Sequence, residues 1–273
     1  LSDPPAEHAR PIGVFDSGVG GLTVLRALRR ALPGEDFIYL GDTARLPYGT
    51  KSAATVLRYS LQCAAALSAY DIRCLVVACN TASASALAAL RLQYPDLPVI
   101  GVIEPGAEAA LAVSVRQHIA VIATEGTIAG GAYQHAIQRR NPQARVEAQA
   151  CSLFVALAEE GWTCGPIVEE IAKRYLGSLF AGAAGPDTLV LGCTHFPALA
   201  AAIQAVLPPC VMIVDSAATT AAAVARQLGE VRRGPAAGTI RWLATDNAAR
   251  FARVGSTFFG EALDPGAVEV IDL

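Results

Sequence analysis

The segment LVVACNTAS, residues 75–83, has a near echo in LVLGCTHF, residues 189–196. In each, an apolar run with β-branched residues stops at a cysteine, Cys79 or Cys193, and Thr or Asn-Thr follows before a helix-like stretch begins. A continuous apolar run of this length reads as a parallel strand covered on both faces, so each segment predicts a buried strand that delivers a thiol at its carboxyl end.

The echo extends outward. IGVFDSG at residues 12–18 is answered by IAVIATEG at residues 119–126, and LVVACNT at residues 75–81 by LVLGCTH at residues 189–195. The interval is far longer than a solenoid period, so the repeat predicts two related α/β halves rather than an array. Each half supplies one polar turn and one cysteine turn. Strand and helix patterns resume at residues 239–244, 248–259 and 267–271, and the first half has few strands of its own for a closed core. The tail is therefore expected to return to it. The predicted division is a discontinuous first domain, 1–103 plus 212–273, and a second domain, 104–211, with the chain crossing at Glu104-Pro105-Gly106. The expected fold class is α/β: two pseudo-symmetric, doubly wound domains with mainly parallel sheets. Ligands of such sheets bind beyond the carboxyl ends of the strands, which puts the active site in the cleft between the domains.

Composition excludes several classes of function. The 273 residues are 53% hydrophobic and 16% charged, yet no stretch of about 18 apolar residues runs without polar interruption, so a soluble interior is expected and no membrane partner. A formal charge of −3, with no basic run interleaved with aromatics, argues against nucleic acid as a partner. The start, LSDPPAEHARP, lacks the basic segment and apolar core of a signal peptide, which predicts a cytoplasmic protein. An odd number of cysteines, without CxxC spacing, fits neither a disulfide framework nor structural zinc, and no metal is expected. Cys63, Cys74, Cys151, Cys164 and Cys210 are expected to be packing residues, and His8, His118 and His135 surface or hydrogen-bonded histidines.

Upstream of the first cysteine turn, residues 11–15 form an apolar run that ends in Asp16-Ser17-Gly18-Val19-Gly20-Gly21 before a helical pattern. That unit brings backbone N–H groups and a helix N-terminus towards an anion. It is not a dinucleotide fingerprint, since Thr23 stands where the third glycine would be, and no Gly-Lys-Ser/Thr follows to make a phosphate-binding loop. The loop TARLPYGT, residues 43–50, sets Pro47 and Gly49 around Tyr48, a rigid turn suited to presenting an aromatic hydroxyl and free N–H groups.

Opposed strand ends would place Cys79 and Cys193 on either side of one cleft. Nucleophilic catalysis needs one thiol. Inversion at a carbon acid needs two similar weak acids on opposite faces, one thiolate to take the proton and one thiol to return another from behind. Asp16 can orient Cys79 or take its proton, and His195 can serve Cys193 in the same way. Ser17, Asn80, Thr81 and Thr194 offer hydrogen bonds to a bound carboxylate or ammonium. An amino acid is the natural ligand. Pyridoxal phosphate would require a Schiff-base lysine, and neither Lys51 nor Lys173 closes a strand end, so no cofactor is expected.

FDSGVGGL (15–22), DTARLPYG (42–49), ACNTASA (78–84) and GCTHFP (192–197), in this order and spacing, resemble the bacterial glutamate racemases of the aspartate/glutamate racemase family. The resemblance spans nearly the whole chain. It implies a cofactor-independent, two-thiol interconversion of L- and D-glutamate that supplies D-glutamate for peptidoglycan. By motif, Cys79 would be the base for one enantiomer and Cys193 for the other, assisted by Asp16 and His195. Substrate contacts would come from Asp16, Ser17, Tyr48, Gly49, Asn80, Thr81, Thr194 and His195. A further acid, Glu159, would stand near the second thiol. Ser152 and Ala156 replace prolines common in the family, so Glu160 remains beside Glu159 as a candidate. A homodimer is compatible with the resemblance. The rival readings are a racemase for aspartate, a two-domain amino-acid binding protein that closes without chemistry, and a Cys-His hydrolase, which leaves the second cysteine turn unexplained.

Overall fold

The apolar runs form strands because both of their faces are covered. In the computed structural model, which describes residues 10–182, 184–229 and 237–273, β1 (Ile12–Asp16), β2 (Phe37–Gly41) and β3 (Cys74–Val77) are buried at every position. They are joined by β4 (Val99–Gly101), β5 (His118–Ala123), β6 (Arg145–Ala150), β7 (Thr188–Gly192), β8 (Met212–Asp215), β9 (Ile240–Ala244) and β10 (Val268–Val270), and the helices are α1 (Leu22–Ala31), α2 (Ala53–Ser68), α3 (Asn80–Gln93), α4 (Ile103–Val113), α5 (Glu125–Ala129), α6 (Ala132–Arg140), α7 (Leu153–Glu159), α8 (Pro166–Leu176), α9 (Ala200–Val206), α10 (Ser216–Leu228) and α11 (Ala248–Phe259). Every pairing among the described residues is parallel, as strands linked by helical crossovers require, and the edge strand β6, RVEAQA, is polar and not buried.

A six-stranded sheet has the order β10-β9-β2-β1-β3-β4, and a four-stranded sheet has the order β6-β5-β7-β8. The run β2-β1-β3-β4 of the first is thus the counterpart of the whole second sheet. The sequence echo has a topological basis: β1 corresponds to β5 and β3 to β7, each an interior strand of its sheet. As the alternation at the end of the chain implied, β9 and β10 return to extend the first sheet at its β2 edge.

Two expectations about the crossings need correction. The division at 211/212 would assign β8 to the first domain, but β8 pairs with β7, Thr188 opposite Met212, and completes the second sheet. Helix α10 (Ser216–Leu228), which follows it, packs on α1 (Leu22–Ala31) of the first half. An apolar run specifies a strand but carries no address for its neighbour. Glu104-Pro105-Gly106, read as a break, lies in the first turn of a helix that begins at Ile103. The first N–H groups of a helix have no partner within it, so proline costs nothing there.

Buried residues of both halves, from Ile12 and Val76 to Val121 and Val190, belong to one continuous apolar cluster. The two halves therefore pack on each other through a shared core. Among the described residues, no helix is long and apolar enough to cross a membrane. His8 lies outside the described residues.

Candidate functional site

Cys79 is placed by the change from strand to helix. Ala78 N donates to Phe15 O at 2.9 Å, the last rung beside β1, and the helix Asn80–Gln93 starts at the next residue but one. Cys79 is its N-cap, and its sulfur accepts from Ala82 N at 3.5 Å. The thiol also donates to Ser17 Oγ at 3.6 Å. Burial pushes the Cys79 thiol up to about 12, and the negative charge of Asp16 adds to that shift.

Asp16, fully buried at the end of β1, accepts from Gly18 N at 3.0 Å and from Thr194 Oγ1 at 3.5 Å. Burial raises its carboxyl pKa, against the nearby charge of His195. The sequence suggests that Asp16 orients Cys79 or takes its proton. Among the described residues it is Ser17 and Ala82 that hydrogen-bond the sulfur, and Asp16 acts on it through charge. Its neighbour Gly21 has no room for a side chain, since a Cβ there would lie 2.5 Å from Asp16 Cβ.

Cys193 directly follows β7, and a short 3-10 helix, Phe196–Leu199, begins three residues on. Its sulfur lies 3.8 Å from His195 Nδ1, and His195 Nε2 lies 3.2 Å from Glu159 Oε1. Glu159 is the last residue of α7 (Leu153–Glu159), and its other oxygen accepts from Arg250 Nη2 at 2.8 Å. Glu160 is exposed, so of the two acids it is Glu159 that reaches the histidine. Burial alone would lower the His195 pKa. Contact with the Cys193 sulfur and with Glu159 outweighs it and pushes the ring up to about 10. Reciprocally, the hydrogen bond from His195 is the largest of the effects that hold Glu159 below the usual carboxylate range.

This pairing has a consequence for stability. A histidine protonated in the folded state to about 10, against 6.5 for the free side chain, contributes stability that is complete below pH 6.5 and is lost as pH rises to 10. Thermal unfolding should therefore show the wild type losing stability relative to His195→Asn across that interval. Parallel curves would mean that the ring is neutral in the folded protein.

Both thiols, Ser17, Tyr48, Gly49, Asn80, Thr81, Thr194 and His195 line one small cavity of about 20 Å³, while Asp16 and Glu159 stand behind its wall. Cys79 and Cys193 are 5% and 7% exposed, so both thiols are buried at this cavity. The hydroxyl of Tyr48, expected to face a ligand, donates instead to buried Asp42. Asn80 Oδ1 accepts from Tyr133 Oη at 2.7 Å, but its buried Nδ2 has no partner among the described residues. An unpaired buried N–H costs about 1–3 kcal/mol, which an incoming acceptor would relieve.

Thr81 Oγ1 lies 3.0 Å from both Thr124 Oγ1 and Thr127 Oγ1, joining the first cysteine turn to the second polar turn. Thr124 also lines the cavity. Sequence reasoning missed Thr124 and Thr127 as site residues. Their signal was present: TEGT, residues 124–127, occupies the place in the repeat that DSG occupies after β1. Arg250 carried no signal at all.

Of the five cysteines expected to pack, Cys63, Cys74 and Cys151 are buried. Cys164 and Cys210 are exposed, because each sits in a turn next to an element, before α8 (Pro166–Leu176) and before β8. His118 is buried and hydrogen-bonded to Ala184 O and Glu147, and His135 is exposed.

The family model described as Asp/Glu/Hydantoin racemase matches residues 12–224. The glutamate racemase of Geobacter metallireducens is 53% identical over 257 residues, which cover 93% of this chain and 94% of that protein. The crystal structure of glutamate racemase from Francisella tularensis in complex with D-glutamate superposes with a TM-score of 0.89 at 36% identity, covering 97% of this chain and 98% of that one. That of Thermus thermophilus, in complex with beta-chloro-D-alanine, gives a TM-score of 0.87 at 41% identity, with 98% and 99% covered.

Proposed function

The chain belongs to the Asp/Glu/Hydantoin racemase family, and on that footing we propose that it interconverts L- and D-glutamate by proton transfer between two thiols, without a cofactor. The observation that carries the reading is that Cys79 and Cys193, from the ends of corresponding strands in the two sheets, line the same cavity. One sulfur takes the Cα proton of one enantiomer. The C–H electron pair stays on carbon, and the S–H of the other sulfur gives its proton to the opposite face. No electrons leave the substrate. The enantiomer of opposite hand reverses the two roles.

Burial supports Cys79 as a strong base once ionised, because a thiol that titrates at about 12 is better matched to a weak carbon acid than an ordinary one. On the other side, the His195 imidazolium, held by Glu159, pairs with the Cys193 sulfur. Ser17, Asn80, Thr81 and Thr194 are proposed to bind the substrate's charged groups, with Thr124 added to them and the backbone at Tyr48-Gly49 beside them. The unpaired Asn80 Nδ2 is a ready donor to a carboxylate. Neither Lys51 nor Lys173 lines the cavity, which supports a route without pyridoxal phosphate.

A chamber of about 20 Å³ holds little more than a water molecule. We therefore propose that two units part to admit the amino acid and close to expel water. One carries the six-stranded sheet with its returning tail, and the other runs through β8. The proposed setting is the cytoplasm, with the D-glutamate going to peptidoglycan assembly.

Incubation with L-glutamate in heavy water, with no pyridoxal phosphate, tests the reading. The expected result is loss of optical rotation with deuterium entering at Cα. Rotation lost with L-aspartate but not with L-glutamate would replace the substrate, and binding without exchange would remove the chemistry.

A further inference from the structure

Glu159 is the point where the two halves meet behind Cys193. It closes α7, offers Oε1 to His195 at 3.2 Å and accepts at Oε2 from Arg250 at 2.8 Å. Arg250 lies in α11 (Ala248–Phe259), which links β9 and β10 of the six-stranded sheet, so the contact spans 91 residues and joins the two halves. The Glu159 side chain is 12% exposed and that of Arg250 43%. One carboxylate oxygen thus faces inward to an imidazole, and the other faces outward to a guanidinium.

The backbone that carries the arginine is fixed. Asn247, in the left-handed region at φ 49°, caps α11 and accepts from Arg250 N at 3.0 Å. Two turns along the same helix, the Phe258 ring packs against His195, edge to face, with centroids 5.0 Å apart. Helix α11 therefore touches the His195–Glu159 pair from two directions. A carboxylate held by one partner can pivot. Held at both oxygens by different cations it keeps its plane, and with it the orientation of the imidazole.

We infer that Arg250 is a positioning residue for proton transfer at Cys193, fixing Glu159 so that His195 is held against the sulfur, and doing so only when the two halves are closed. The inference rests on the racemase reading above. The charge of Arg250 acts in the same direction, adding to His195 in keeping Glu159 ionised. A cavity of about 250 Å³, bordered by Leu46, Glu159, Arg250 and Phe251, lies alongside. It leaves space for the arginine to swing out when the halves part, and for a small cation if the side chain is removed.

The test compares wild type, Arg250→Ala and Arg250→Lys on glutamate carrying hydrogen or deuterium at Cα, in both directions. The enantiomers have equal free energy in water, so kcat/KM must stay equal for the two directions in any variant. One-sided damage must appear in the isotope effects instead. A Cys193→Ser variant identifies the enantiomer whose proton Cys193 takes, as the one that stops exchanging. Arg250→Ala is expected to lower kcat about tenfold. It should raise the deuterium effect for that enantiomer and not for the other. Arg250→Lys, or ethylguanidinium added to Arg250→Ala, should restore part of the rate. Equal changes in both directions, absence of rescue, or an unchanged rate would overturn the role of Arg250. An inactive wild type in the same assay would instead overturn the racemase reading, and this inference with it.

Discussion

Alanine in place of Cys79 removes racemisation of glutamate in both directions, and alanine in place of Cys193 does the same. Each sulfur is base for one hand and acid for the other, so no single thiol completes an inversion. The expected loss is about four orders of magnitude for each variant, the upper range for removal of a general acid or base. The fold should survive, since both sites are small and buried and Cys79 contributes one long N-cap contact of 3.5 Å to its helix. Circular dichroism and thermal unfolding check this alongside turnover. Serine separates two-thiol chemistry from its rivals. In Cys79→Ser or Cys193→Ser, the remaining thiol can exchange the Cα proton of one enantiomer with solvent and return it to the same face, giving deuterium uptake without inversion. A double Cys→Ala variant that still racemised glutamate would refute the mechanism.

Gly20→Ala is expected to lower kcat about a hundredfold without touching a thiol, the scale on which small displacements of catalytic groups act. A Cβ on Gly20 would collide with Thr194 Oγ1 and lie 2.5 Å from His195 Nδ1. The ring is held by Glu159 and packed against Phe258, so it cannot yield without losing a contact. The methyl must therefore turn His195 away from the Cys193 sulfur or keep the two halves apart. Overpacking of this kind costs about 1–3 kcal/mol, which lowers the melting temperature without unfolding the protein. Gly130→Ala, where nothing lies within 4 Å of the added carbon, is the control and should match wild type in turnover. Wild-type turnover in Gly20→Ala would mean that the contact between the first polar turn and His195 is loose.

Much of the fold was legible because its signals are local. An apolar run that stops at a polar residue is a buried strand wherever it lies, and β3 and β7 follow the runs before Cys79 and Cys193. The helix expected over residues 53–68 has those bounds, with Ser52 accepting from Thr55 N as its cap. The echo between halves survived as strand order, since the same pattern of runs and turns folds into the same four-strand arrangement twice. The strand ends then brought the residues of the two cysteine turns and the first polar turn to one chamber.

By itself, then, the sequence determined which segments are strands, that they come in two matching sets, and that each set ends in a thiol beside hydroxyls and one ionisable partner. Hydrophobic period and turn chemistry are written within a few residues of where they act. Only the tertiary structure decided that β8 closes the second sheet, that the Tyr48 hydroxyl serves Asp42, and that Thr124 and Thr127 join Thr81. It also chose Glu159 over Glu160 and set Arg250 behind it, 91 residues away. Successive residues of a helix point about 100° apart, so which of two adjacent acids meets a histidine depends on how the whole helix is rotated on its sheet. That rotation is set by the packing of both faces together, and no short segment of the chain encodes it.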